Sequence, residues 1–226
     1  MLHEGLGSIE LWRDFPERLA AATNRAVVAY SRYGHGRSEG LQAARAIGYM
    51  HDEATRVLPD LLRQLAIDSP ILFGHSDGAS IALIYAATFP GALTASVLEA
   101  PHVFVEPLTL RSIERARLAA ATGDLLERLS RYHDDAATTF RGWNDIWLHP
   151  EFVHWNITEL LADIRAPLLV LQGHDDEYGT PAQLDAIENA VPNVTTILLA
   201  NCGHSPHRDQ PAAVLEDTRA FLEALP

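Results

Sequence analysis

The segment Gly74-His75-Ser76-Asp77-Gly78 sets a serine between two glycines, directly after an apolar run and directly before a stretch of helical periodicity. A strand-to-helix turn of this kind exposes the serine hydroxyl, and the small flanking residues let the helix pass close to the strand. The helix that starts there aims its N-terminus at any oxyanion that develops. A serine hydroxyl alone is a weak nucleophile. It needs an imidazole to take its proton and a carboxylate to fix the imidazole's tautomer. Both groups recur at matching places. Gln172-Gly173-His174-Asp175-Asp176 closes another apolar run, and Cys202-Gly203-His204-Ser205 follows the last one. Ser76, an acid and His204 thus fall in that order at the carboxyl ends of strands, an arrangement suited to acyl transfer. Asp176 and its neighbour Asp175 are both open as the acid, and Glu99, at the end of another apolar run, is a remoter third.

The elements that must position these groups are short and regular. Residues 26–31, 71–74, 95–99, 168–173 and 194–200 are rich in Val, Ile and Leu on consecutive positions, as strands covered on both faces are. Helical patterns lie between them at 9–22, 48–65, 78–89, 182–190 and 212–225, with Pro59 expected to kink or restart the second. The alternation predicts an α/β fold, a mostly parallel sheet flanked by helices. It breaks between 103 and 163, where helical patterns (108–122 and 124–132) and three of the four tryptophans occur without a clear strand. Residues 1–102 and 164–226 are therefore read as the core and 103–163 as a helical cap across the carboxyl ends of the sheet. Trp143, Trp147 and Trp155 are read as packing cap to core rather than as substrate contacts.

Composition narrows the partners. A formal charge of −13 repels phosphate backbones and anionic lipid headgroups, so neither nucleic acid nor a membrane surface is expected. Cys202 is the one cysteine and has no internal disulfide partner. The first residues show no basic region followed by an apolar one, and a cytoplasmic location is the expectation. No histidine pair has H-E-x-x-H or similar spacing, so no metal is expected. Gly34 and Gly36 lack the full dinucleotide spacing, and no cofactor is expected. His75 reads as lining the turn, while His102 and His207 match no catalytic position.

Several motifs in order make the whole chain resemble the α/β-hydrolase family. His3-Glu4-Gly5-Leu6-Gly7 is similar to the family's H-G-x-x-G oxyanion loop, with Glu4 in place of the first glycine. Tyr33-Gly34-His35-Gly36-Arg37-Ser38 resembles its R-G-x-G-x-S segment, with Tyr33 where arginine is common, and Gly203-His204 through Gln210-Pro211 resembles its ending. The resemblance implies a nucleophile at Ser76, a general base at His204 and, by the G-x-x-D spacing, an acid at Asp176. It also implies an oxyanion hole from the Asp77 amide and the Gly5 amide, with Leu6 as fallback; the side chains at 77 and 6 are taken as uninformative. Ser76 sets the chain apart from the dehalogenase and epoxide-hydrolase branches, which use Asp there. Only Met1 and Leu2 precede His3, so the family's first hairpin and most of its third strand have no counterpart here. A truncated start, closure of the gap or a homodimer would each answer this. The implied function is a serine esterase cleaving small carboxylic esters through an acyl-enzyme. The alternatives are a hydrolase-like ligand-binding or receptor protein with little turnover, and a carbon–carbon bond or amide hydrolase using the same triad.

Overall fold

Four of the five apolar runs form one parallel sheet in the computed structural model, which describes residues 1–225. Strands β1 (Ile71–His75), β2 (Ala95–Glu99), β3 (Leu168–Gly173) and β4 (Val194–Leu199) lie side by side in that order. Phe73 pairs with Val97, Val97 with Leu169, and Leu169 with Thr195. Successive residues point to opposite faces. Leu72, Leu98 and Val170 therefore join one core cluster, and Phe73, Val97, Leu169 and Leu171 join the other. Helices cover both faces, which is why β2 and β3 are buried throughout. β4 lies at the edge and is half exposed along most of its length.

Local chemistry decides where the expected helices break. The pattern over 9–22 divides into a 3₁₀ turn, Ile9–Trp12, and α1, Phe15–Thr23. Pro16 is the cause, because proline suits the first turn of a helix and not its interior. The stretch 48–65 becomes α2 (Tyr49–Asp52), a π-helical turn (Glu53–Val57) and α3 (Leu58–Gln64). Pro59 supplies no N–H, and the chain widens just ahead of it and restarts. α4 (Asp77–Thr88) leaves β1 through the serine turn, and its residues from Asp77 to Ala87 are all buried.

Residues 26–31 do not form the expected strand. A strand needs a ladder partner, and what lies between this segment and β1 is Leu2, which makes an isolated parallel bridge with Gly74. The Leu2 amide donates to the Phe73 carbonyl, the His75 amide donates to the Leu2 carbonyl, and the Met1 amino group donates to Val28. Beyond these contacts a cavity of about 390 Å³ separates the segment from β1, lined by Leu19, Val28, Leu58, Leu62, Ile71 and Phe73 among others.

Between β2 and β3 come α5 (Pro107–Thr122), α6 (Leu125–Leu129), α7 (Ala136–Trp147) and two 3₁₀ turns, Phe152–His154 and Thr158–Asp163. α7 was not among the expected helices. α8 (Ala182–Ala190) joins β3 to β4, and α9 (Pro206–Asp209) and α10 (Pro211–Glu223) follow β4. No helix among the described residues is long and apolar enough to cross a membrane.

Candidate active site

Ser76 occupies the turn between β1 and α4 with φ 53° and ψ −116°, a left-handed conformation that a non-glycine residue adopts only when its surroundings enforce it. The surroundings are backbone. A Cβ on Gly74 would come within 2.6 Å of the Gly78 carbonyl oxygen, and one on Gly78 would strike the Leu2 carbonyl. The two glycines let strand, helix and first residues meet, and that contact drives the serine outward.

His204 follows β4 and reaches back to the serine. The Ser76 hydroxyl donates to His204 Nε2 at 2.9 Å, and His204 Nδ1 donates to Asp176 Oδ1 at 2.8 Å. Asp176 sits just past β3 and is buried. The Tyr178 and Gly179 amides also donate to its Oδ1, and Gln172 Nε2 donates to its Oδ2 at 3.2 Å. Burial alone would raise this carboxyl, but the His204 imidazole beside it and the Tyr178 amide outweigh that and bring it down to about 2. The group therefore stays an acceptor. Asp175 instead accepts from His174 at the surface, and Glu99 accepts from His207 Nδ1 at 2.6 Å. Of the three candidate acids, Asp176 is the one that meets His204.

The two amides expected to hold an oxyanion belong to Gly5 and Asp77, and neither N–H has an acceptor among the described residues. Gly5 lies under the Trp143 ring so closely that any Cβ there would overlap the indole. The expectation that the Asp77 side chain carries no information is corrected by its contacts. Tyr49 Oη donates to Oδ2 at 2.6 Å, Trp147 Nε1 donates to Oδ1 at 3.3 Å, and the buried Arg32 guanidinium stands 3.6 Å from Oδ2. Burial disfavours the charge on Arg32, yet Asp77 and Glu53 nearby more than restore it. Sequence offered no signal for this cluster, because its members are scattered between positions 32 and 147. His75 does more than line the turn: its Nε2 donates to the His204 carbonyl at 2.6 Å.

Ser76, His204, Gly5 and Glu4 share a cavity of about 170 Å³ with Trp143, Trp147, Tyr178 and Ile113. Two of the three tryptophans read as packing thus also form its wall. Trp155 is buried and packs within the insertion, stacked on Phe152 at 5.6 Å. α7 supplies both wall tryptophans, and its signal was present: Ala136, Thr139, Phe140, Trp143 and Trp147 recur at helical spacing after Asp135, whose side chain accepts from the Thr138 amide. The insertion is tied down beside the acid, since Thr109 Oγ1 donates to the Tyr178 carbonyl and Ser112 Oγ to that of Glu177. His102 is buried and lies beside His204; the burial and that neighbour lower it to about 4. His75, Glu99 and His207 form the one cluster of potential metal ligands found among the described residues. One nitrogen of each ring is hydrogen-bonded, His75 Nε2 to the His204 carbonyl and His207 Nδ1 to Glu99, while His75 Nδ1 and Glu99 Oε1 have no hydrogen-bond partner.

Known proteins align along nearly the whole chain. The family model described as "Alpha/beta hydrolase family" matches residues 1–217. A proline iminopeptidase of Levilactobacillus brevis is 27% identical over 99% of this chain and 87% of its own length. A bifunctional esterase/perhydrolase of Acinetobacter calcoaceticus is 23% identical over 88% of this chain and 82% of its own. The crystal structure of VinJ superposes with a TM-score of 0.76 at 25% identity, covering all of this chain and 89% of that one.

Proposed function

The chain belongs to the alpha/beta hydrolase family, and from that premise we propose that it is a serine esterase that cleaves small carboxylic esters through an acyl-enzyme. The observation that carries the reading is the unbroken hydrogen-bonded line from Ser76 through His204 to Asp176, opening on a cavity. Ser76 Oγ attacks the ester carbonyl as its proton passes to His204 Nε2. The Asp176 carboxylate steadies the imidazolium, and the Gly5 and Asp77 amides donate to the oxyanion. Collapse of the tetrahedral intermediate breaks the C–O bond to the alcohol, which leaves with the proton from His204. Water then gives its proton to His204, attacks the acyl carbon, and the acid departs as Ser76 is re-protonated. Residues 103–163 act as the cap over this step. A cavity of about 170 Å³ holds a short acyl group and little more, well below the ~300–1,000 Å³ of drug-sized pockets.

A second reading, amide hydrolysis next to a free amino terminus, is favoured by one residue. Glu4 is among the residues lining the cavity, its carboxylate 3.6 Å from His75 Nδ1 and 3.9 Å from Arg208 Nη2. A substrate ammonium would suit it, and relatives named proline iminopeptidase lend that support. The test of both is direct. Fluorophosphonate labelling and turnover of p-nitrophenyl acetate and butyrate, both abolished in Ser76→Ala, are expected; a wild-type chain showing neither defeats the esterase. Turnover of proline p-nitroanilide above that of p-nitrophenyl butyrate would move the assignment to the peptidase.

A further inference from the structure

We propose that Arg32 is a positioning residue of the oxyanion site: its guanidinium, bonded to the Glu4 carbonyl and set beside the Asp77 carboxylate, holds in place both amides that receive the negative charge. The inference rests on the acyl-transfer reading above.

The argument begins from one peptide unit. Glu4 C=O and Gly5 N–H belong to the same amide, and in a trans peptide they point in opposite directions. Whatever grips the carbonyl therefore aims the N–H. Arg32 Nη2 donates to this carbonyl at 2.8 Å and to that of His3 at 3.3 Å. The Glu4 carbonyl also receives the Gly7 amide at 3.0 Å and His3 Nδ1 at 2.8 Å. His3 is itself held by Arg32, whose backbone N–H donates to His3 Nε2 at 3.0 Å. Three donors on one carbonyl are more than a loop needs to stay folded. One of them is a cation, which draws electron density from the amide and makes the opposite N–H a stronger donor.

The second wall is reached by charge. Arg32 Nη2 stands 3.6 Å from Asp77 Oδ2, and Asp77 supplies the other amide. Tyr49 and Trp147 hold the remaining Asp77 contacts, so its carboxylate cannot swing away from the guanidinium. Arg32 is 1% exposed and lies outside the residues that line the serine's cavity. A buried charge with no view of the substrate is costly to keep, and fixing two segments distant in sequence gives it a purpose.

The test uses the full chain with Arg32→Lys and Arg32→Gln. Active sites are titrated with a fluorophosphonate, and inhibition is measured with a phenylboronic acid that mimics the tetrahedral state. Per titrated site, kcat should fall about 10-fold for Lys and about 100-fold for Gln with KM within about threefold, and boronate affinity should fall in step. A purely structural role would lower the titrated fraction and the melting temperature but leave kcat per site and boronate affinity unchanged; that result overturns the proposal. If both variants fail to fold, Asp77→Asn carries the test. A fall in kcat of about fivefold at constant KM is expected there, and no change overturns the proposal. A wild-type chain that neither labels nor turns over defeats the acyl-transfer reading itself, a different outcome from a wild type that works beside variants that work equally well.

Discussion

Two carboxylate–imidazole pairs stand at the same edge of the sheet. In one, His204 Nδ1 donates to Asp176 at 2.8 Å; in the other, His207 Nδ1 meets Glu99 at 2.6 Å. Each acid ends or follows a strand, and each histidine lies in the segment after β4. The His75 ring stands between them, 5.3 Å from the ring of His204 and 5.0 Å from that of His207. The difference lies on the far side of each imidazole. His204 faces the Ser76 hydroxyl in an open cavity, while the His207 ring is shut in by Trp12 at 4.6 Å and Phe15 at 5.5 Å. An imidazole with a carboxylate behind it is ready for proton transfer, but a nucleophile and room for substrate decide whether it does any. The enclosed pair serves cohesion: it pins α9, and with it the His204 loop, to the end of β2.

The sharpest way to break this contrast is to remove each imidazole in turn. His204→Ala should lower kcat about 10⁵-fold, whereas His207→Asn in the folded protein should lower it less than tenfold, both read with p-nitrophenyl butyrate. Comparable losses would mean that the enclosed pair takes part in the chemistry. The acids come next. Asp176→Asn should cost about 10⁴-fold in kcat because the imidazole loses the partner that fixes its tautomer. Glu99→Gln should leave kcat within a few-fold and instead cost about 1–3 kcal/mol of unfolding free energy in urea, the price of spoiling a buried charged hydrogen bond. The smallest effect is in pH. Asp176 is lowered from 3.8 to about 2, so its contribution to stability is complete above about pH 4 and drains away as pH falls toward 2. Asp176→Asn should flatten that part of the acid stability profile, and an unchanged profile would show that the pairing with His204 does not stabilise the fold.

The positions of these pairs were legible to unequal degrees. Ser76 and an acid after β3 could be placed because β1 and β3 are runs of buried residues, the mark of parallel strands covered on both faces, and His204 because it follows the last apolar run; Asp176 was separated from Asp175 only by the family's G-x-x-D spacing. β2 and β3 were placed to the residue for the same reason. Residues 26–31 carry the same mark and still make no strand, since pairing depends on a neighbour that no local pattern reveals. The roles of Arg32, Tyr49 and the Asp77 side chain were hidden because they arise from long-range contacts between unrelated elements. In α7 the threonines and Arg141 interrupt a regular apolar face, so its helical pattern stands out weakly in sequence.

Cys202 sits two residues before His204 and is buried in the core cluster of Phe73, Val97 and Leu169, and that burial, with Asp209 and Glu99 near, pushes it up to about 12. A sulfhydryl held this way is silent toward disulfide reagents until the segment that carries it comes loose. Its rate of modification therefore works as a clock for excursions of the catalytic arm, counting them in the native protein without any added label.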